Sequence, residues 1–237
     1  MKAIKQISFF VLFISHVCFY GQSSFFQKVD KFLYENVRNG FVNYSNIENK
    51  NEALNQLVKD IEKYSLNDLD KNERLAFYIN AYNILVIKQI INHLPLESPL
   101  DYSQFFDDKF FLLEGEQRSL NELENTIIRP QFNDARIHFV LVCGAVGCPP
   151  IIPNAYFPNT VQEQLSERTT AALDHPLFTR VKASEVELSE IFKWYASDFG
   201  SSTHSIIQFI NQYKSNKISE NSTLSYYPYD WKINKQK

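Results

Sequence analysis

The residues best suited to chemistry sit close together: His138, Cys143 and Cys148, with Arg136 just before them. A cysteine becomes a nucleophile at neutral pH when a base or a positive neighbour favours its thiolate. His138 and Arg136 can supply both. Glu124, on the helix just upstream, can orient the imidazole as the acid of a triad does. The catalytic set read from the sequence is therefore Cys148, His138 and Glu124, suited to hydrolysis or acyl transfer. Plainer roles stand beside it. An isolated histidine among apolar residues is often a satisfied core residue, and a glutamate in a capped helix is often solvated. The two cysteines also fit a small disulfide ring, because two glycines in the intervening loop can bring the Cα atoms within roughly 4.4–6.8 Å. Inert or metal-linked thiols are the third option. A lone C-x4-C with no second close pair lacks zinc spacing, so no metal is assigned. No cofactor is assigned either.

Ile137–Cys143 is apolar except for His138, and its length suits a buried strand. Alternation would place Arg136, His138, Val140 and Val142 on one face and Cys143 on the other. Cys148 lies beyond the Gly144–Gly147 bend and can fold back, which makes it the expected nucleophile and Cys143 the structural partner. Lys71–His93 carries apolar residues around most of the cylinder and reads as a central buried helix. Asn80 and Asn83, three apart on that helix, share a face. Buried amides need partners. They either lock loop backbone or line a pocket and donate to a substrate oxygen. Lys193, Trp194, Tyr195 and Asp198, with Tyr227, Tyr229 and Trp231, form a polar–aromatic group that can hold a flat or sugar-like ligand or form a core edge. The ligand-binding set is Asn80, Asn83, Arg136, Cys143, Lys193 and Trp194.

The remaining pattern is helical over Phe25–Asn39, with Gly40 as its cap, and over Leu54–Tyr64. A hairpin spans Lys109–Arg118. A capping box at Ser119–Glu122 opens a helix that runs to Arg129 and stops at Pro130. Further helices are read over Thr160–Asp174, Ile191–Phe199 and Thr203–Tyr213. A hairpin at 177–188 and a terminal strand at Leu224–Ile233 complete the chain. Helices alternate with short hairpins and no long linker intervenes. This predicts a single α+β domain over 22–237, with a central buried helix, a mixed sheet and short hairpins.

Lys2 and Lys5 followed by an apolar run to Tyr20 have the order of a signal peptide over 1–21, which implies export to the periplasm or the extracellular space. The 237-residue chain carries a net charge of −3, and its Lys and Arg are scattered. That argues against a nucleic-acid face. No second apolar run approaches membrane-spanning length. The expected partner is a small molecule or an envelope component.

Several strings taken together resemble a known family: Val42–Tyr44, Leu75–Asn83, Ser119–Glu124, Ala135–Phe139, Cys143-Gly144 with Cys148–Pro150, Ile191–Tyr195 with Asp198-Phe199, and Tyr229–Trp231. In this order they are similar to the domain of unknown function 547, over about Val42–Asn234. The resemblance implies one complete domain and no established reaction. The family pattern usually carries a histidine where this chain has Asn125. Two functions follow. One is small-molecule or partner binding, with a loop pinned by Cys143 and Cys148. The other is a thiol-dependent hydrolase or acyl-transferase using Cys148 and His138.

Overall fold

Phe25, Phe26, Val29, Phe32 and Leu33 are buried along one side of a helix over residues 25–36 (α1). The computed structural model describes residues 25–182 and 184–237; the segment read as a signal peptide lies outside them. The chain leaves α1 directly into a hairpin of β1 (Val37–Arg38) and β2 (Phe41–Val42). Asn39 and Gly40 are its two loop residues, with φ of 52° and 82°. Asn-Gly readily takes the paired positive-φ turn that suits strand twist. Gly40 is thus a hairpin residue and not the helix cap expected from the sequence.

Two short helices follow, α2 (Tyr44–Asn49) and α3 (Glu52–Glu62). The central helix α4 spans Lys71–His93, and Asp70 caps it by accepting the Glu73 N–H at 2.8 Å. Fifteen of its residues are buried, on nearly every side. Most of the apolar interior forms one cluster around it, from α1 to Leu165. A second hairpin, β3 (Phe111–Leu113) with β4 (Glu116–Arg118), leads to Ser119, whose capping box with Glu122 starts the next helix.

That helix is not regular. It opens as α5 (Leu120–Glu122), widens to a π-helix over Leu123–Ile128 and closes as α6 (Arg129–Phe132). Pro130 does not stop it as the sequence suggested. A proline inside an α-helix clashes with the carbonyl four residues back and removes a hydrogen bond. The wider turn, with Arg129 N–H bonded to the Glu124 carbonyl, takes the chain past Pro130 in helical form.

Ala135–Phe139 forms a 3-10 turn, not the first part of a buried strand. Helix α7 (Val161–Asp174) then packs against this turn and α4. A three-stranded sheet completes the fold. β5 (Thr179–Lys182) pairs antiparallel with β6 (Glu185–Ser189), and β6 pairs parallel with β7 (Thr223–Tyr227). The β6–β7 crossover carries α8 (Ile191–Trp194), a 3-10 turn over Ala196–Phe199 and α9 (Thr203–Tyr213). Phe139 from the other half of the chain sits in the core of this layer with Phe178, Phe192 and Phe199. The fold is α+β with a mixed sheet, as expected. The terminal strand is shorter than expected because Pro228, which cannot donate to a ladder, follows Tyr227. No helix among the described residues is long and apolar enough to cross a membrane.

Candidate functional site

A cleft of about 480 Å³ opens between the α5–α6 helix, the segment 138–149, α8 and the C-terminal segment. His138, Cys143, Cys148, Glu124, Arg129, Trp194, Tyr195, Tyr229 and Trp231 all line it. Three local devices bring them there.

The first is the clamp from α4. Asn83 donates to the Val140 carbonyl at 2.9 Å and accepts from the Val142 N–H at 3.0 Å. A side-chain amide thus does for this backbone what a neighbouring strand would do. Asn80 treats the loop at Tyr156 the same way, accepting its N–H and donating to its carbonyl. Both amides lock loop backbone; neither is among the residues that line the cleft.

The second device is the Cys143–Cys148 loop. Gly144 has φ +79°, and a Cβ there would lie 2.5 Å from the Ile90 side chain, so the loop lies directly on α4. At Gly147 a Cβ would lie 2.9 Å from the Asp230 backbone nitrogen. The C-terminal segment runs across this loop. Val146 and Gly147 donate to the carbonyls of Lys232 and Asp230, and Asn234 donates to that of Gly144. The segment thereby delivers Tyr229 and Trp231 to the cleft.

The third device is the π-helix. In an α-helix, residues five apart point about 140° away from one another. A π turn brings them towards one side, so Glu124 and Arg129 both reach the cleft. Single π turns recur at functional sites.

Cys143 and Cys148 are free thiols, so the expected disulfide is not formed. The loop is pinned differently: the Cys143 N–H donates to Cys148 Sγ at 2.7 Å. Because the backbone turns here instead of extending as a strand, Cys143 faces the same cleft as His138 and not the opposite side. Cys148 is only 5% exposed, whereas Cys143 is half-buried. Burial pushes the Cys148 thiol well above its ordinary pKa, and the Cys143 sulfur beside it adds to the effect. Burial pushes Cys143 upward too. Hydrogen bonds from Cys148, from the Tyr229 hydroxyl at 3.1 Å and from the Ala145 backbone outweigh it, and the net shift is downward. The thiolate is therefore favoured at Cys143 and disfavoured at Cys148.

His138, 4% exposed, gives Nε2 to Asp198 Oδ2 at 2.8 Å. Arg129 grips the same carboxylate twice, Nε to Oδ2 and Nη2 to Oδ1, both at 2.8 Å. The His138 imidazole and the Arg129 guanidinium hold Asp198 well below the usual carboxylate range. An ionised carboxylate only accepts, so Nε2 of His138 carries a proton in this contact and Nδ1 is the ring nitrogen left for other partners. The imidazole also stacks on Tyr195, ring centres 4.0 Å apart.

Glu124 does not orient His138. It accepts from Tyr82 at 2.8 Å and from Tyr195, whose ring stacks on the imidazole. Burial, reinforced by Glu124, raises both tyrosine pKa values, so both hydroxyls stay protonated donors. Arg136 turns away from the cleft, bound to Asp134, Gln162 and Ser166. Lys193 is exposed beside Glu190, and does not line the cleft. Trp194 does, 4.9 Å from the Tyr229 ring and 5.7 Å from that of Trp231. Asn125, where the resemblance would place a histidine, accepts from Arg129 Nη1 at 2.6 Å and so helps fix the guanidinium. Among the described residues no group of three or more His, Cys, Asp and Glu side chains gathers in a way that could hold a metal ion.

Comparison with known families adds one result. Residues 66–171 match the family model described as a protein of unknown function, DUF547. Over this stretch the chain is similar to that family. The matched stretch runs from just before α4 into α7. It supplies Tyr82, Glu124, Arg129, His138, Cys143 and Cys148, whereas Trp194, Tyr195, Asp198, Tyr229 and Trp231 lie C-terminal to it. No curated protein and no solved structure matches the chain.

Proposed function

We propose that this domain binds a small molecule in the cleft, on the aromatic surface of Trp194, Tyr229 and Trp231, and presents it to the Cys143 thiol. The observation that carries this is the convergence of both tryptophans of the chain, a half-buried thiol and a buried His–Asp–Arg chain on one cleft of about 480 Å³. That volume is in the range of small-molecule sites, and apolar walls with a few convergent polar groups are their usual make-up.

The test is a thermal-shift screen of small molecules combined with alkylation. Ligands that raise the melting temperature should slow iodoacetamide uptake at Cys143, and Trp194→Ala should abolish both effects. Stabilising ligands that leave Cys143 alkylation unchanged would show that binding happens elsewhere, and the proposal would fail.

A second function is favoured by one further observation, the set of donors around the Cys143 sulfur. In this reading His138 Nδ1 takes the Cys143 proton, the thiolate attacks an acyl carbon to form a thioester, and the leaving group departs with that proton. Water, deprotonated by His138 Nδ1, then hydrolyses the thioester and regenerates the thiol. Asp198 keeps the imidazole in the tautomer this step needs. Turnover of a thioester or activated ester, lost in Cys143→Ser and retained in Cys148→Ser, would establish it. Loss in Cys148→Ser alone would return the nucleophile to Cys148.

A further inference from the structure

The charges that line the cleft do not balance. Arg129 is the sole Lys or Arg among the lining residues, and its charge is taken up by the bidentate Asp198. Two carboxylates, Glu124 and Asp107, line the same space, and neither has an ion-pair partner among the described residues. Glu124 is the more telling of the two. It is 8% exposed, its hydrogen bonds among the described residues come from neutral tyrosine hydroxyls, and the Arg129 charge that it feels is already gripped by Asp198. Asp107 accepts from the Asn121 side-chain amide, also neutral. A buried carboxylate without a compensating cation is costly. Beside it lies an aromatic surface of two indoles and a phenol, the side chains whose ring faces attract cations best.

We infer that the ligand of this cleft carries a positive charge, an ammonium or guanidinium group, seated on the Trp194–Tyr229–Trp231 surface and balanced by Glu124 and Asp107. The inference rests on the cleft being the binding site, and it names the chemical class that the site takes. An anionic ligand would meet two uncompensated carboxylates and a thiol that leans to its thiolate. A neutral ligand would leave Glu124 with no cation of its own, since Arg129 is held by Asp198. A cation repairs both and uses the aromatic faces as well.

The experiment uses Cys143 as its own reporter. The full chain is treated separately with methanethiosulfonates carrying a trimethylammonium-ethyl, a methyl or a sulfonato-ethyl group. In each case the Cys143 thiolate attacks the thiosulfonate sulfur, a mixed disulfide forms and methanesulfinate leaves. Rates at Cys143 are read by mass spectrometry and divided by those of N-acetylcysteine, which removes the intrinsic reactivity of each reagent. The expected cation-to-anion ratio is about tenfold or more, as a unit charge at cleft distances gives in a partly screened site. It should fall severalfold in Glu124→Gln and in Asp107→Asn, and shrink as salt is raised. Asp107 is on the rim, so its variant keeps the test open should Glu124→Gln fail to fold. A ratio near one, or an unchanged ratio in both variants, would overturn the charge preference while leaving the binding site intact. Failure of all three reagents to modify Cys143 would overturn the thiol-bearing cleft itself.

Discussion

Asp198 joins His138 to Arg129, and both partners reach it from distant parts of the chain, 60 and 69 residues away. Its side chain is 22% exposed, so most of the interaction is shielded from solvent. A carboxyl whose folded pKa lies below its unfolded one adds stability above the unfolded value and loses it as pH falls through the folded value. Asp198→Asn should therefore cost about 2 kcal/mol in urea unfolding at pH 7, in line with charge-assisted hydrogen bonds. The difference from the parent chain should shrink below about pH 4, the ordinary aspartate value. A penalty independent of pH would show that the charge does not matter. This scale is also where the sequence was least informative. Cys143, Cys148, His138, Glu124 and Trp194 are recognisable by type. Their partners are not, because no spacing rule relates Cys143 to Tyr229, 86 residues on, or His138 to Asp198. That the thiolate is favoured at Cys143 and not at Cys148 has the same origin. It depends on which sulfur ends up under the tyrosine hydroxyl, and that follows from tertiary packing alone.

The elements were more legible. Helix α4 has the bounds that its apolar spacing, Asp70 and Pro95 indicate. Ser119 opens its helix with the capping box that the spacing to Glu122 announces. The segment 137–143 departs from the expected strand for an identifiable reason. A short apolar run reads alike whether its backbone pairs with a strand or is held by side chains. Here Asn83 holds it. Asn83→Ala leaves the Val140 carbonyl and the Val142 N–H buried without that partner, and should destabilise the domain by about 2–4 kcal/mol in chemical denaturation. Asn83→Asp, which keeps an acceptor for Val142 but offers no donor to Val140 and buries a charge, should recover none of the loss at pH 7. Equal stability of all three chains would remove the clamp from this account. The π-helix was also hidden, since nothing in Leu123–Ile128 departs from ordinary helical spacing. Its cue is Pro130, read from the sequence as a stop when the chain instead widens to continue.

At the scale of the whole molecule, the C-terminal segment ties the parts together. Val42 donates to the Asn234 carbonyl, Tyr44 bonds the Asn234 side chain at 2.6 Å, and Gly144, Val146 and Gly147 meet the same stretch. The sequence marked its aromatics without revealing that they cross the cysteine loop. Gly147→Ala would press a methyl group against the Asp230 backbone and push this stretch off the loop. The expected result is a loss of about 1–2 kcal/mol. A higher pH midpoint for Cys143 alkylation should accompany it, because the Tyr229 hydroxyl is drawn away; an unshifted midpoint would mean that Tyr229 does not tune the thiol. The geometry has an outcome in time as well as in space. A ribosome releases residue 143 long before residue 229, so every nascent chain passes through an interval in which its reactive sulfur is made but its cover is not. The site cannot be complete until Tyr229 and Trp231, the lining residues latest in the sequence, have been made.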